Sequence, residues 1–332
     1  AGLWTDGRYF LQAREQLEGS GITLFRSGEK GVPTLEEYVE ASLPAGGTLG
    51  FDGRVISMQK GIQFEKIAQK KEGQISYSYD LADAVWEDRP PLLRRPAFLL
   101  PDSCTGESLK DKLSLVQEAM KEEGADIHIL ASLDDICWLT NLRGQDVSYC
   151  PLLLSYAILT EKEMRLYVDA GKLTDETKAK LLRASVHIFP YDAIWEDIPA
   201  LSEKSKLLLD PARLNYALYA RIPKGADIIE KDNPTVSMKA VKNKTEIENI
   251  QNAHIKDGIA VTKFMYWLKK NMAATATPSS EAEAADKLES LRREQEGYLG
   301  ASFEPICGWG PHGAIIHYCT SPQTNAALLP GT

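Results

Sequence analysis

An internal repeat constrains this chain more than any single motif does, because both copies must solve one packing problem with one order of elements. Leu3-Trp4-Thr5-Asp6-Gly7-Arg8-Tyr9-Phe10 is an apolar–aromatic run closed by Asp and a small residue, leading into a helical pattern through Leu11, Gln12 and Leu17. Met164-Arg165-Leu166-Tyr167-Val168-Asp169-Ala170-Gly171 repeats that order and leads into a helix over Thr174 to Leu182. Both copies continue alike. In the first, strands over Thr23 to Phe25, Thr48 to Asp52 and Ile75 to Tyr79 alternate with helices over Leu35 to Leu43 and Met58 to Lys71. In the second, strands over Val186 to Phe189 and Lys206 to Asp210 alternate with helices over Ala193 to Leu201 and Leu214 to Ala220. Alternation at this spacing predicts α/β layers. A further strand, Leu152 to Leu159, precedes the second copy through the turn Thr160-Glu161-Lys162-Glu163, and the first copy lacks it. The opening strand is therefore expected to be an unpartnered edge, with residues before Ala1 lost or left out.

At 332 residues the chain exceeds what one core usually serves. The Pro-rich stretch 89–96 and the turn 101–106 read as a linker between the copies. Beyond it Leu109, Leu113, Val116 and Met120 mark one face of a helix over Leu109 to Glu122. The domains expected are 1–100, 101–234 and 235–332. The 38 basic against 47 acidic side chains leave a formal charge of −9, which argues against a phosphate-binding surface or an anionic membrane partner. No apolar run approaches the roughly 18 residues of a membrane span. The five cysteines are odd in number and never spaced C-x-x-C, so neither a zinc knuckle nor a disulfide scaffold is suggested, and a reducing cytoplasm fits best.

Several groups of side chains invite a chemical reading. Asp134 and Asp135 read as first-turn acids of a helix running from Leu133 into a loop ended by Gly144, where the helix dipole favours them. Asn243-Lys244-Thr245-Glu246 starts a long helix in the manner of a capping box. Ile247, Ile250, His254, Val261, Met265 and Leu268 form its core-facing stripe, so His254 reads as structural. Ser280-x-x-Glu283 opens the next helix, whose acids Glu281, Glu283, Asp286 and Glu289, with Glu294 and Glu296, read as a solvated face rather than metal ligands. In Gly310-Pro311-His312-Gly313-Ala314-Ile315-Ile316-His317-Tyr318, β-branched residues behind a Gly/Pro turn predict a short strand delivering His317 to the mouth of a cleft. On a strand His312 and His317 point to opposite faces, so they should not share a metal ion.

Six segments, in this order and spacing, resemble aminopeptidase P (Xaa-Pro aminopeptidase) of the three-domain kind, in the creatinase/prolidase "pita-bread" family. They are Trp4 to Phe10, Trp86-x-Asp88-Arg89-Pro90, Trp138-Leu139-x-Asn141-Leu142-Arg143-Gly144, Lys239 to Asn243, Ala253 to Asp257, and Gly313 to Tyr318. His312 departs from the Asn expected there, and Glu304 to Trp309 departs from a Ser/Thr-rich loop. The resemblance implies two creatinase-like N-terminal α/β domains followed by the first part of a pita-bread catalytic domain. It also implies removal of the N-terminal residue from peptides with proline second, in a cytoplasmic homodimer. Such an Xaa-Pro bond is a tertiary amide without the N–H that ordinary proteases grip.

By the same resemblance, two Mn²⁺ ions activate water and clamp the carbonyl oxygen. The ions are held by two Asp, one His and two Glu downstream of the His317 segment, none within Ala1 to Thr332. The chain as it stands is thus expected to hold no metal and to be inactive by itself. His317 matches a catalytic and substrate-binding histidine that hydrogen-bonds the substrate or the tetrahedral intermediate. Arg8 matches a substrate-binding arginine, its guanidinium suited to a carboxylate or carbonyl; a surface ion pair with Asp6 or Glu15 is the plainer alternative. The rival from another class is a metal-free module binding peptides or proteins in the same cleft. A prolidase is the rival within the class, set back by its lack of a duplicated N-terminal domain.

Overall fold

Leu207, Leu208 and Leu209 are all fully buried, although successive side chains of a strand point to opposite faces. Such a strand needs cover on both sides, and the computed structural model, which describes residues 1–274 and 278–329, supplies it. The strand Lys206–Leu209 lies inside a six-stranded mixed sheet in the order Val186–Phe189, Met164–Tyr167, Tyr156–Thr160, Ile127–Leu130, Lys206–Leu209, Asp227–Glu230. On one face Leu130, Leu159, Leu166 and Leu208 pack against Leu113, Val116 and Met120 of the helix Leu109–Glu122. On the other, Ile129, Ile158, Leu207 and Leu209 pack against Ile194, Ile198, Leu214 and Leu218. The sheet belongs to one of two units, Val39–Ile247; the other joins Ala1–Tyr38 to the residues from Glu248 onward.

The repeat is visible in the strand pairing. Tyr156–Thr160 and Met164–Tyr167 form the antiparallel hairpin, and Met164–Tyr167 then pairs in parallel with Val186–Phe189 across the helix Asp175–Arg183. In the first copy Gly2–Thr5 pairs in parallel with Thr23–Arg26 across the helix Phe10–Gln16. Within the other unit Thr48–Gly50 pairs in parallel with Gln74–Ser76 across the helix Met58–Lys70. The opening strand, expected to be an unpartnered edge, therefore has a partner, because the crossover returns the chain beside it; the Trp4 and Phe25 rings stack at 4.1 Å in register. Gly61 allows the helix Met58–Lys70 to approach Tyr216, whose ring lies 2.1 Å from where a Cβ would stand.

Several boundaries move for local reasons. The helix expected over Ala193 to Leu201 shortens to Ile194–Asp197, since Pro199 offers no amide to continue the four-residue ladder and the next amides bond in three-residue steps. The one expected over Leu214 to Ala220 is Tyr216–Tyr219, because the Asn215 side chain accepts from the Leu218 amide and caps the start. The helix Leu133–Thr140 stops at Asn141, which takes the left-handed conformation at φ 56°, and Leu142–Arg143 turns out to pair with Phe98–Leu99.

Two larger expectations fail. The stripe along the helix Lys244–Ala274 is not core-facing: Ile250 and Met265 are 43% and 50% exposed, His254 is exposed, and among its described side chains only Ala260 is buried. Nor is Ile315 to Tyr318 a strand. No described strand lies beside it, so its backbone bonds locally. Gly310–Ala314 is a 3₁₀ helix, followed by three-residue-step bonds from the Ile315 amide to the His312 carbonyl and from the Tyr318 amide to the Ile315 carbonyl.

Candidate functional site

The turn that replaces the expected strand leaves His317 exposed. His317 has φ 56°, a left-handed conformation that a non-glycine residue adopts only where its surroundings hold it. The hold comes from the neighbouring side chains. Tyr9 Oη lies 2.6 Å from His317 Nδ1, and the Phe303 ring stands 5.7 Å from the imidazole. Arg8, one residue before Tyr9, places its guanidinium 5.4 Å from the centre of the Tyr9 ring. The structure thus brings together Arg8 and His317, the two residues singled out from the sequence, with Tyr9 between them.

Arg8 is fixed by Asp6. Its backbone amide and Nε donate to Asp6 Oδ1 at 3.0 and 2.9 Å, and Nη2 donates to Oδ2 at 2.9 Å. The ion pair with Asp6 is the plainer of the two arrangements the sequence allowed. These bonds hold the Asp6 carboxyl at about 2, well below the usual range. Both side chains remain at least half exposed, so a ligand can reach the guanidinium.

The loop carrying His317 is organised by a residue that the sequence pattern assigned to a solvated face. Glu281 is fully buried. Its Oε1 accepts from the Trp309 amide at 2.6 Å and from His312 Nδ1 at 2.8 Å; its Oε2 accepts from the Tyr318 hydroxyl and the Ala326 amide, both at 3.0 Å. Burial alone would raise the pKa of this carboxyl. The two amides, His312 and Tyr318 outweigh it and hold the value at about 2. The His312 and Tyr318 rings stack at 4.4 Å. The capping box of Ser280 and Glu283 is present as expected, and Glu281 is the first residue inside it. Helical spacing placed Glu281 among surface acids; its partners, 28 to 45 residues downstream, are invisible to that spacing.

His254, read as structural, instead lines a cavity of about 600 Å³ with Asp257, Phe264, Arg292, Tyr298 and Phe303. Arg292 Nε donates to Asp257 at 2.7 Å across its wall. Phe303 borders both this cavity and the His317 ring. Among the described residues no group of three or more His, Cys, Asp or Glu side chains is arranged to hold a metal ion, and no helix is long and apolar enough to cross a membrane.

In the other unit, residues of two motifs that carried the resemblance, Trp138 with Asn141 and Lys239, make structural contacts. Lys112, almost fully buried, donates to Asn141 Oδ1 at 2.8 Å and to the Trp138 carbonyl at 3.2 Å, and burial lowers its pKa. Asp135 is fully buried too. Desolvation opposes its charge, but Lys239 at 2.8 Å, Asn233 at 3.0 Å and Ser132 keep it ionised, while Asp134 also pairs with Lys239. The two acids clamp the helix Pro234–Ala240 rather than forming a catalytic pair.

Residues 88–246 match the Creatinase/Prolidase N-terminal domain, and residues 248–331 match metallopeptidase family M24. Xaa-Pro aminopeptidase 1 of Dictyostelium discoideum is 34% identical over 99% of this chain and 54% of its own length. Aminopeptidase P1 of Arabidopsis thaliana is 33% identical over 99% and 58%. The crystal structure of X-prolyl aminopeptidase from Caenorhabditis elegans, a cytosolic enzyme with a di-nuclear active site, superposes with a TM-score of 0.90 at 30% identity. It covers 98% of this chain and 54% of that one. The chain spans about half the length of the curated relatives it matches. Its fold is the mixed α/β arrangement of a creatinase/prolidase N-terminal domain with an M24 pita-bread domain, and the chain belongs to the Xaa-Pro aminopeptidase (aminopeptidase P) family.

Proposed function

We propose that the complete protein is a metallo-aminopeptidase that removes the N-terminal residue from peptides with proline in second position. The observation that carries this reading is the meeting of His317 and Arg8 through Tyr9, residues from the two ends of the chain. The relatives, named for this activity, support it. His317 donates a hydrogen bond to the substrate carbonyl oxygen and keeps it as charge develops there. The guanidinium of Arg8, still reachable beside Asp6, takes a carboxylate or carbonyl further along the peptide.

The two metal ions, read as Mn²⁺, belong on polypeptide outside residues 1–332, and this chain by itself is inactive. The domains are 1–100, 101–234 and 235–332. The complete protein works in the cytoplasm as a homodimer.

The test is cleavage of an Xaa-Pro-Xaa tripeptide by the complete protein supplied with manganese. Release of the first residue is expected. No product together with no bound metal would leave a metal-free peptide-binding module in its place.

A further inference from the structure

Tyr9 was given no chemical role in the reading above, yet its hydroxyl contacts the imidazole assigned to substrate. Its hydroxyl meets His317 Nδ1 at 2.6 Å, and among the described residues it has no other hydrogen-bond partner. His317 Nε2, likewise, meets no protein partner among them. Two arrangements satisfy a phenol beside a neutral imidazole: the O–H donates to Nδ1, or Nδ1–H donates to the phenol oxygen. The first is preferred. An unprotonated ring nitrogen is a strong acceptor, whereas the phenol oxygen shares its lone pair with its ring and is a better donor than acceptor. A proton kept off Nδ1 must sit on Nε2 in the neutral ring.

We propose that Tyr9 is a positioning residue that fixes His317 as the Nε2–H tautomer, so that the free ring nitrogen is a donor aimed at the substrate and not an acceptor. The inference deepens the assignment of His317 as a hydrogen-bond donor to a carbonyl oxygen and rests on it for its catalytic consequence. Two neighbours make the arrangement rigid. Asp6 holds Arg8 through three hydrogen bonds, and Arg8 covers the Tyr9 ring, so the phenol does not swing away from the imidazole. The left-handed backbone at His317, φ 56°, lies inside a turn whose amides bond locally, and the ring it carries faces Tyr9. A donor that is already in its donating form when substrate arrives need not reorganise in the transition state.

The experiment reads the tautomer directly, by ¹⁵N–¹H correlation of the imidazole nitrogens in this chain, with His317→Gln used to assign the signal. Nδ1 of His317 should carry the shift of an unprotonated acceptor and Nε2 that of an N–H. Tyr9→Phe, which removes one oxygen and keeps the ring under Arg8, should convert this to a mixture of tautomers. Asp6→Asn keeps the hydroxyl, and its amide oxygen can still accept from the Arg8 amide and Nε, so the Nε2–H form should stay dominant. A wild-type His317 protonated on Nδ1, or a Tyr9→Phe signal unchanged, overturns the proposal; so does an Asp6→Asn shift as large as that of Tyr9→Phe, since the hydroxyl would then not be the cause. In the complete enzyme Tyr9→Phe should lower kcat about 3- to 10-fold with KM unchanged, the worth of one neutral hydrogen bond. An equal loss in KM alone counts against the proposal. If the wild-type protein cleaves no Xaa-Pro peptide, the peptidase reading falls while the tautomer result decides this one.

Discussion

Glu281→Gln replaces an acceptor-only carboxylate by an amide at a position where four donors converge. Gln keeps one acceptor oxygen and gains an NH₂ group. If the NH₂ takes the place of Oε1 it faces the Trp309 amide; if it takes that of Oε2 it faces the Ala326 amide. In either orientation one inward-facing backbone N–H loses its acceptor and meets another donor, which costs about 1–3 kcal/mol. The remaining bonds, charge-assisted in the native chain, each fall to ordinary strength, a further loss of about 1 kcal/mol apiece. The total is about 3–5 kcal/mol, concentrated in the loop that presents His317. Native-state hydrogen exchange of the Trp309 and Ala326 amides is the assay. Both should exchange about a hundred- to several-thousandfold faster in Glu281→Gln, at about 1.4 kcal/mol per decade. Amides deep in the six-stranded sheet, such as that of Leu208, serve as an internal control. The same loop should loosen in acid without mutation. The folded pKa of Glu281 is about 2, below its ordinary 4.5, so its stabilisation is complete above about 4.5 and is lost as pH falls toward 2. Protection of Trp309 and Ala326 that is the same in wild type and variant would refute the view of Glu281 as the anchor.

His128 is fully buried in the sheet, with Nδ1 donating to the Leu208 carbonyl at 2.9 Å, and burial depresses its pKa from 6.5 to about 4. Its neutral form is favoured by folding, so stability should fall by about 3 kcal/mol as pH drops from about 6.5 to 4 and level off below; denaturant melts of wild type and His128→Gln across that window measure it, and identical slopes would remove His128 as the cause. Gly61→Ala drives a Cβ into the Tyr216 ring and should cost about 1–3 kcal/mol, read as a lowered urea midpoint at unchanged slope. Asp135→Ala leaves Lys239 and Asn233 without their buried acceptor and should cost about 3–5 kcal/mol by the same melts, whereas the exposed Lys70–Glu40 pair should be worth under about 1 kcal/mol. His317→Ala in the complete enzyme should lower kcat about 100-fold or more with metal content unchanged; an unaltered kcat would take His317 out of the mechanism.

The repeat, the helix Leu109–Glu122, the strand Val186–Phe189 and the capping box at Ser280 were all legible in the residues. Each is a local property: side-chain period and end-capping report the backbone geometry of a few consecutive residues. The resemblance also named His317 and Arg8 from short motifs, and their roles stand as proposals. Locality explains the errors as well. Spacing on a helix tells which side chains share a face, but not which face is covered. Hence His254 was assigned to a core stripe that is exposed, and Glu281 to a solvated face although it is fully buried. Ile315 to Tyr318 has the composition of a strand, but a strand exists only where a second one accepts its hydrogen bonds.

Alternation and periodicity in the sequence thus determined the α/β layering, and the family resemblance proposed the imidazole and guanidinium worth watching. Tertiary structure alone decided that a buried carboxylate ties down the loop around that imidazole, and that a tyrosine 308 positions away in the chain sits on its ring. The reason is that burial and hydrogen-bond partnership are properties of pairs distant in the chain. A residue's neighbours in sequence carry its conformation, and its neighbours in space carry its charge, its tautomer and its work.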